Sequence, residues 1–311
     1  MNRIYLLYAL VICTAFVSCK TQTTEAQKKE ENKTVSIEYS YSTKDLLNNI
    51  KTLSSDAFEG RRTGTKGAEK AKTYIINAFK EEGVKPLGGD FEQHFTFGNY
   101  NAVNILGEIK GTGNTNKYIV LSAHYDHEGV KNGKIYNGAD DDASGISALI
   151  AFAQYLKLNP PKYNVILAAF DAEELGLKGA YHFVKDNTIQ QRNIVLNLNM
   201  DMISRSEKNE LFAVGTRYNP HLKPTIESFK DLGKVDLLIG HEGLGDGDNW
   251  TNSSDHAAFH KAEIPFIYFG VADHEDYHKP TDDFERIDNQ FYQDAVETII
   301  QVFIQLDALE L

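Results

Sequence analysis

The chain has 311 residues, 41% of them hydrophobic, and a formal net charge of −12. That size and apolar content suit one α/β domain with a large buried core, while the acidic balance argues against nucleic acid or an anionic membrane surface as the main partner. The only cysteines are Cys13 and Cys19, so the chain beyond them has no disulfide, no thiolate metal site and no cysteine nucleophile.

The first residues read as an export signal. Arg3 supplies a positive charge, and residues 5–17 form an apolar run too short to span a bilayer comfortably. The run ends in Phe16-Val17-Ser18-Cys19, and a small residue directly before Cys at this point resembles the bacterial lipoprotein box. Residues 20–33 are mostly Thr, Gln, Glu and Lys without apolar periodicity. The expected organisation is a lipoprotein signal peptide over 1–18, a flexible tether over 19–34 from a lipidated Cys19, and a single catalytic domain over 35–311. Such a protein is exported and lipid-anchored, on the periplasmic face of the outer membrane or at the cell surface.

Within the domain, residues 42–53 place Leu46, Leu47, Ile50 and Leu53 at helical spacing behind a Ser/Thr cap. Residues 66–82 repeat the pattern with Ala71, Ile75, Ala78 and Phe79, and Gly83 suits the position after the helix. Short apolar runs at 104–109, 118–123, 165–170, 194–200, 211–214 and 264–269 predict strands buried on both faces. Helical segments at 145–158, 177–184, 220–232 and 290–306 alternate with them. The alternation predicts an α/β fold, a three-layer α/β/α sandwich with a mostly parallel, mixed central sheet. Ligands of such sheets sit beyond the carboxyl ends of the strands.

Those ends are where His, Asp and Glu collect. The run at 118–123 leads into His124-Tyr125-Asp126-His127, and that at 165–170 into Asp171-Ala172-Glu173-Glu174. The run at 194–200 leads into Asp201, NGADDDASG at 137–145 opens a helix, and Asp276-Tyr277-His278 follows the last strand. Each has a plain structural explanation alone: Asp140, Asp141 and Asp142 as cap and dipole partners, His278 as a surface histidine, Glu173-Glu174 as an acidic pair. Together, carboxylates and imidazoles without thiolate suit Zn2+, Mn2+ or Co2+, and two such cations would neutralise the acids. His124 and Asp126, two apart, share a face of an extended segment, so the aspartate is placed to accept the second ring proton of a metal-bound His124. Glu173 and Glu174 diverge, so one can hold metal while the other takes a proton from a water.

HYDH, NGADDDASG, FDAEELG, NMDMIS and YHKPTDD, in this order, resemble the di-zinc exopeptidases of metallopeptidase family twenty-eight, and GRRTGTKGAEKAKTYIINAFKEEGVKP is similar to the family's first helix region. The likeness runs over roughly residues 46–306. It implies a zinc exopeptidase (phosphorylase-hydrolase-like) catalytic domain, an aminopeptidase activity and two Zn2+ ions, with Mn2+ or Co2+ as alternatives. It implies His124 and Asp201 on one zinc each, Asp141 bridging, and Glu174 and His278 completing the set. Glu173 becomes the general base, Asp126 orients His124, and Asp140 and Asp142 remain as supporting or capping groups. Ser254-Asp255-His256 matches a segment beside the family's substrate pocket, so Ser254, His256, Tyr277 and His241 are candidate pocket residues, the last in a Gly-rich stretch that reads as a lid or pocket wall. His127, where some relatives carry a small residue, is expected behind the ligands or at the pocket rim. The expected partners are peptides with a free N-terminus and no nucleic acid. The chain is expected to be a monomer that meets the membrane only through Cys19.

Two other readings exist. Glutaminyl cyclases resemble this constellation, but resemble one another in a Trp directly before the last His, where Tyr277 stands; the only tryptophan is Trp250. A metal-free binding protein on the same fold would be expected to lose ligands, and here every expected ligand type is present.

Overall fold

The computed structural model describes residues 41–186, 193–229, 234–243 and 248–311. The signal peptide, the lipidated cysteine and the tether expected over 1–34 lie outside them, as do part of the helix expected over 220–232 and residues 244–247 of the Gly-rich stretch.

Local sequence sets the first elements. Helix α1 (Thr43–Leu53) starts at Ser42, whose hydroxyl accepts the Asp45 N–H at 3.1 Å, and it buries Leu46, Ile50 and Leu53. Helix α2 (Lys66–Glu81) starts in the same way at Thr65. Three antiparallel strands follow, β1 (Lys85–Pro86), β2 (Glu92–Phe97) and β3 (Tyr100–Ile109). Next come β4 (Tyr118–His124), a separate hairpin of β5 (Gly129–Lys131) and β6 (Lys134–Tyr136), then α3 (Ser144–Leu158), β7 (Asn164–Phe170), α4 (Lys178–Lys185) and β8 (Ile194–Met200). The chain continues through β9 (Glu210–Val214), α5 (Lys223–Glu227), β10 (Asp236–Ile239), α6 (His256–Lys261), β11 (Phe266–Gly270) and α7 (Asn289–Ala308).

The main sheet runs β1-β3-β7-β4-β8-β11-β9-β10, with β2 paired to β3. Its centre, β7-β4-β8-β11, is parallel. The pair β9–β10 is parallel as well, and the sheet is mixed as expected. β3 meets β7 antiparallel, β9 meets β11 antiparallel, and the β2–β3 hairpin adds an antiparallel edge. The hairpin went unread because EQHFTF at β2 mixes polar and apolar residues, as an edge strand does.

Helices cover both faces. On one, Val120, Ile166, Ala168 and Phe170 pack against Ala180, Phe183 and Val184 of α4 and Ala258 and Phe259 of α6. On the other, α3 lies on β4 and β7 and is itself covered by α1, α2 and α7. This is why α3 is apolar nearly all round, with every residue from Ser144 to Ala153 buried. The parallel strands β4, β7, β8 and β11 end on the same edge, and there the acidic loops gather.

Candidate metal centre

The cluster begins with His124, the last residue of β4. Its Nε2 lies 3.1 Å from Asp141 Oδ1 and 3.5 Å from Asp201 Oδ1. Asp201 follows β8, its N–H donating to the Phe269 carbonyl at 3.1 Å. His124, Asp141 and Asp201 are all buried, and each offers one ligand atom within 4.8 Å of the others. On the far side of Asp141, His278 Nε2 is 3.2 Å from Oδ2 and 3.3 Å from Glu174 Oε2. All five expected ligands therefore meet, and Asp141 turns one oxygen toward each side.

The other two aspartates point into the scaffold. The Asp142 carboxylate accepts the N–H groups of Gly145 at 2.8 Å and His124 at 3.1 Å. Asp140 Oδ1 accepts both the N–H and the hydroxyl of Ser204 at 2.7 Å, and its Oδ2 meets His274 Nε2 at 3.0 Å. The backbone N–H groups of Asp140 and Asp141 donate to the buried carboxylate of Asp282. Of the three aspartates, only Asp141 turns its carboxylate toward the histidines, between two acids bonded into the scaffold.

Asp126 needs correction. The ring Nδ1 of His124 bonds the Asp126 backbone carbonyl at 3.0 Å, while the carboxylate stands 3.8 Å away, outside hydrogen-bond range. That carboxylate instead accepts the Glu173 N–H at 2.9 Å and the Glu174 N–H at 3.4 Å. It fixes the acidic turn after β7, and the backbone fixes the histidine. Ala172, Met202 and His278 all take positive φ beside or within the cluster, the pattern of strained backbone held at working sites.

Two residues had no assigned role in the sequence. Arg61 is fully buried, and its guanidinium donates to the carbonyls of Leu53, Tyr125, Asn137 and Gly138, at 2.6 to 2.9 Å. It ties α1 to the loop after β4 and the loop leading into α3. Thr63 bridges Asp171 at 2.8 Å and Asp126 at 3.3 Å. The signal for both lay inside GRRTG, but nothing local to that stretch says where it folds.

Electrostatics test whether the residues fit a cation. Burial raises the proton affinity of Glu173, and Asp201, Asp255 and Asp141 add to it. Burial likewise raises Asp126 and Asp142, helped by Asp171 and Asp201 respectively. Burial and the Asp141 charge push Glu174 up, but bonds from His127 and His278 outweigh them and bring it to about 2. Burial opposes charge on His278, yet Asp141 and Glu174 raise it to about 10. The site thus has an excess of buried negative charge seeking a cation, and oxygen and imidazole donors converge without thiolate. The residues present fit a divalent ion.

Beside the cluster opens a cleft of about 610 Å³, lined by Glu173, Leu177, Met202, Trp250, Tyr268 and Tyr277 among others. Tyr277 lines it as expected. Ser254, His256 and His241 do not, and those pocket assignments are corrected. Ser254 is buried and accepts from Asn199 at 2.9 Å. His256 is buried under Tyr268, ring centroids 4.5 Å apart, with its Nε2–H donating to the Trp250 carbonyl at 2.9 Å. His241 stacks on Trp250 at 3.6 Å. These three support the wall from behind.

Comparison with known proteins places this geometry. A family model described as Peptidase family M28 matches residues 104–303. Aminopeptidase YwaD of Bacillus subtilis (strain 168) is 30% identical over 215 residues, covering 65% of this chain and 44% of the relative. The alkaline phosphatase isozyme conversion protein of Escherichia coli (strain K12) is 24% identical over 168 residues, 49% of each. The chain spans less than half the length of either relative. Among solved structures, BSAP, a zinc aminopeptidase from Bacillus subtilis, superposes with a TM-score of 0.69 at 19% identity, covering 86% of this chain and 95% of the other. Porphyromonas gingivalis glutaminyl cyclase gives 0.71 at 18%, covering 86% and 99%. The sheet, the cluster at its edge and the matched span agree: the chain belongs to peptidase family M28.

Proposed function

We propose that this chain is a zinc-dependent aminopeptidase that removes residues from the N-terminus of peptides. His124, Asp141 and Asp201 would hold one cation, and Asp141, Glu174 and His278 a second. The observation that carries this reading is Asp141, with Oδ1 3.1 Å from His124 and Oδ2 3.2 Å from His278. Zn2+ is the ion named for the relatives, and Mn2+ or Co2+ suit the same donors. Bound there, such ions supply Lewis acidity to a water and to the scissile carbonyl.

The chain's own part centres on Glu173. It lines the cleft and stands in none of the ligand-atom groups, and its raised proton affinity suits a group that must accept and then release a proton. As the water oxygen bonds to the carbonyl carbon, Glu173 takes the water's proton. It then delivers that proton to the amine nitrogen as the C–N bond breaks. Asp248 and Asp273 also line the cleft, and their charge favours a substrate with a free, cationic α-amine.

The test is a panel of aminoacyl-nitroanilides, N-acetylated controls and peptides with N-terminal glutamine, with and without chelator. Free amines should be cleaved, acetylated ones spared, and chelator should abolish the rate. Ammonia released from glutaminyl peptides without cleavage would mean a cyclase, the reading kept open by the fold likeness to the Porphyromonas enzyme. Background metal content would mean a binding protein. Glu173→Gln should keep its metal and lose at least ~10²-fold in rate; full activity in that variant removes the assigned role.

The supporting case for location is sequence alone: the apolar run at 5–17 and Ser18-Cys19. On that reading, residues 1–18 are cleaved, Cys19 is lipidated, and 19–34 tether a monomeric 35–311 domain to the outer membrane or cell surface. Among the described residues no helix is long and apolar enough to cross a membrane. Cys19→Ser should move the protein from the detergent phase to the aqueous phase; a variant that stays with detergent defeats the lipid attachment.

A further inference from the structure

His127 stands outside the five-residue ligand set, yet it is wholly buried beside it. Its Nδ1 lies 2.7 Å from Glu174 Oε1 and 3.7 Å from Asp141 Oδ2, and its ring centroid is 5.9 Å from that of His278. Neither ring nitrogen, nor Glu174 Oε1 itself, makes a well-aligned hydrogen bond among the described residues, so the 2.7 Å approach is a close ion-pair contact. The fold makes space for this ring. Gly138 takes φ +57, and a Cβ there would come within 2.1 Å of the Asp141 carbonyl oxygen and 2.6 Å of His127 Cγ and Cδ2. A side chain at Gly138 would therefore disturb both the Asp141 backbone and the imidazole.

We propose that His127 is a positioning residue, whose Nδ1, in close contact with Glu174 Oε1, holds that oxygen so that Oε2 stays turned toward His278. The inference rests on the two-ion reading above. The rival role is that of a ligand, since His127, Asp141 and Glu174 each offer one ligand atom within 4.8 Å of the others; two distances favour positioning. His278 Nε2 sits between two carboxylates, at 3.2 and 3.3 Å, as a ligand sharing an ion would. His127 engages one carboxylate closely and the other only at 3.7 Å. Because its Nδ1 faces a carboxylate, the proton belongs there. Fixing one carboxylate oxygen removes the rotation that would otherwise swing the other away, the usual work of an outer partner to a ligand.

The experiment is equilibrium dialysis of wild-type protein, His127→Phe, His127→Ala and His127→Asn against Zn2+, with thermal melting of each metal-free protein alongside. Phe keeps the ring volume without the donor, and Asn restores an N–H near the place of Nδ1. Expected are two ions in every variant, one of them bound about 10–100-fold more weakly in Phe and Ala, with Asn recovering most of the loss. A purely structural residue would lower the melting point of the metal-free protein and leave the two affinities unseparated, which overturns the proposal. So do unchanged affinities in Phe or Ala, or a loss of one whole ion in all three variants, which would make His127 a ligand. A wild type binding no ion at all defeats the two-ion reading and this inference with it.

Discussion

The two sides of the cluster are built differently. His124 and Asp201 stand at the ends of neighbouring parallel strands and are buried, their backbones fixed by the sheet. Glu174 and His278 come from turns; the His278 side chain is 38% exposed and its backbone takes φ +53. The strand-borne side is held mostly through its backbone, with the Asp126 carbonyl on the His124 ring and the Asp142 carboxylate on the His124 N–H. The turn-borne side is held by other side chains, with Asp126 on the Glu174 backbone and His127 on its carboxylate. Precision on strands comes with the fold, while precision on loops has to be built from further contacts.

The largest effect should come from the residue both sides share. Asp141→Ala should lose both ions by elemental analysis and all activity above background; a variant retaining two ions places the bridge elsewhere. A chelator titration of the wild type should then divide the sides. Release should occur in two steps, the exposed Glu174–His278 side first. His278→Ala should erase that first step and leave one ion, whereas His124→Ala should remove the ion of the strand-borne side. Release in one step would erase the distinction between them.

The smallest effect probes the scaffold away from either ion. Burial holds His256 down to about 3 against an ordinary 6.5. The folded state keeps it neutral while the unfolded chain protonates it. Its contribution is complete above pH 6.5 and fades as pH falls toward 3, by up to about 1.4 kcal/mol per pH unit. His256→Gln, which can still donate to the Trp250 carbonyl, should flatten the dependence of metal-free stability on pH below 6.5 in urea unfolding. An unchanged slope places the titrating group elsewhere.

Much of this was legible in the chain. The apolar runs located the central strands to within a residue or two, because strands buried on both faces leave no polar alternation to misread. Ser42 marked the first helix by its cap. The candidate ligands were readable because they gather at strand ends and in the loops beyond them. What failed was side-chain direction in loops. Nothing in HYDH says that the Asp126 carboxylate turns away from His124, toward two backbone N–H groups three strands' worth of sequence later. Nothing in NSSDHAAF says that Ser254 and His256 face inward while Trp250 faces the cleft. Helix α6 was missed because six residues are too few to show a period.

Arg61 governs how the chain can be cut. The stretch shared with the family, 104–303, begins more than forty residues after it. A fragment trimmed to that stretch would keep every ligand, yet leave the carbonyls of Tyr125, Asn137 and Gly138 with no guanidinium to seat them. A piece that keeps this seating therefore reaches back at least to Arg61, beyond the stretch that aligns.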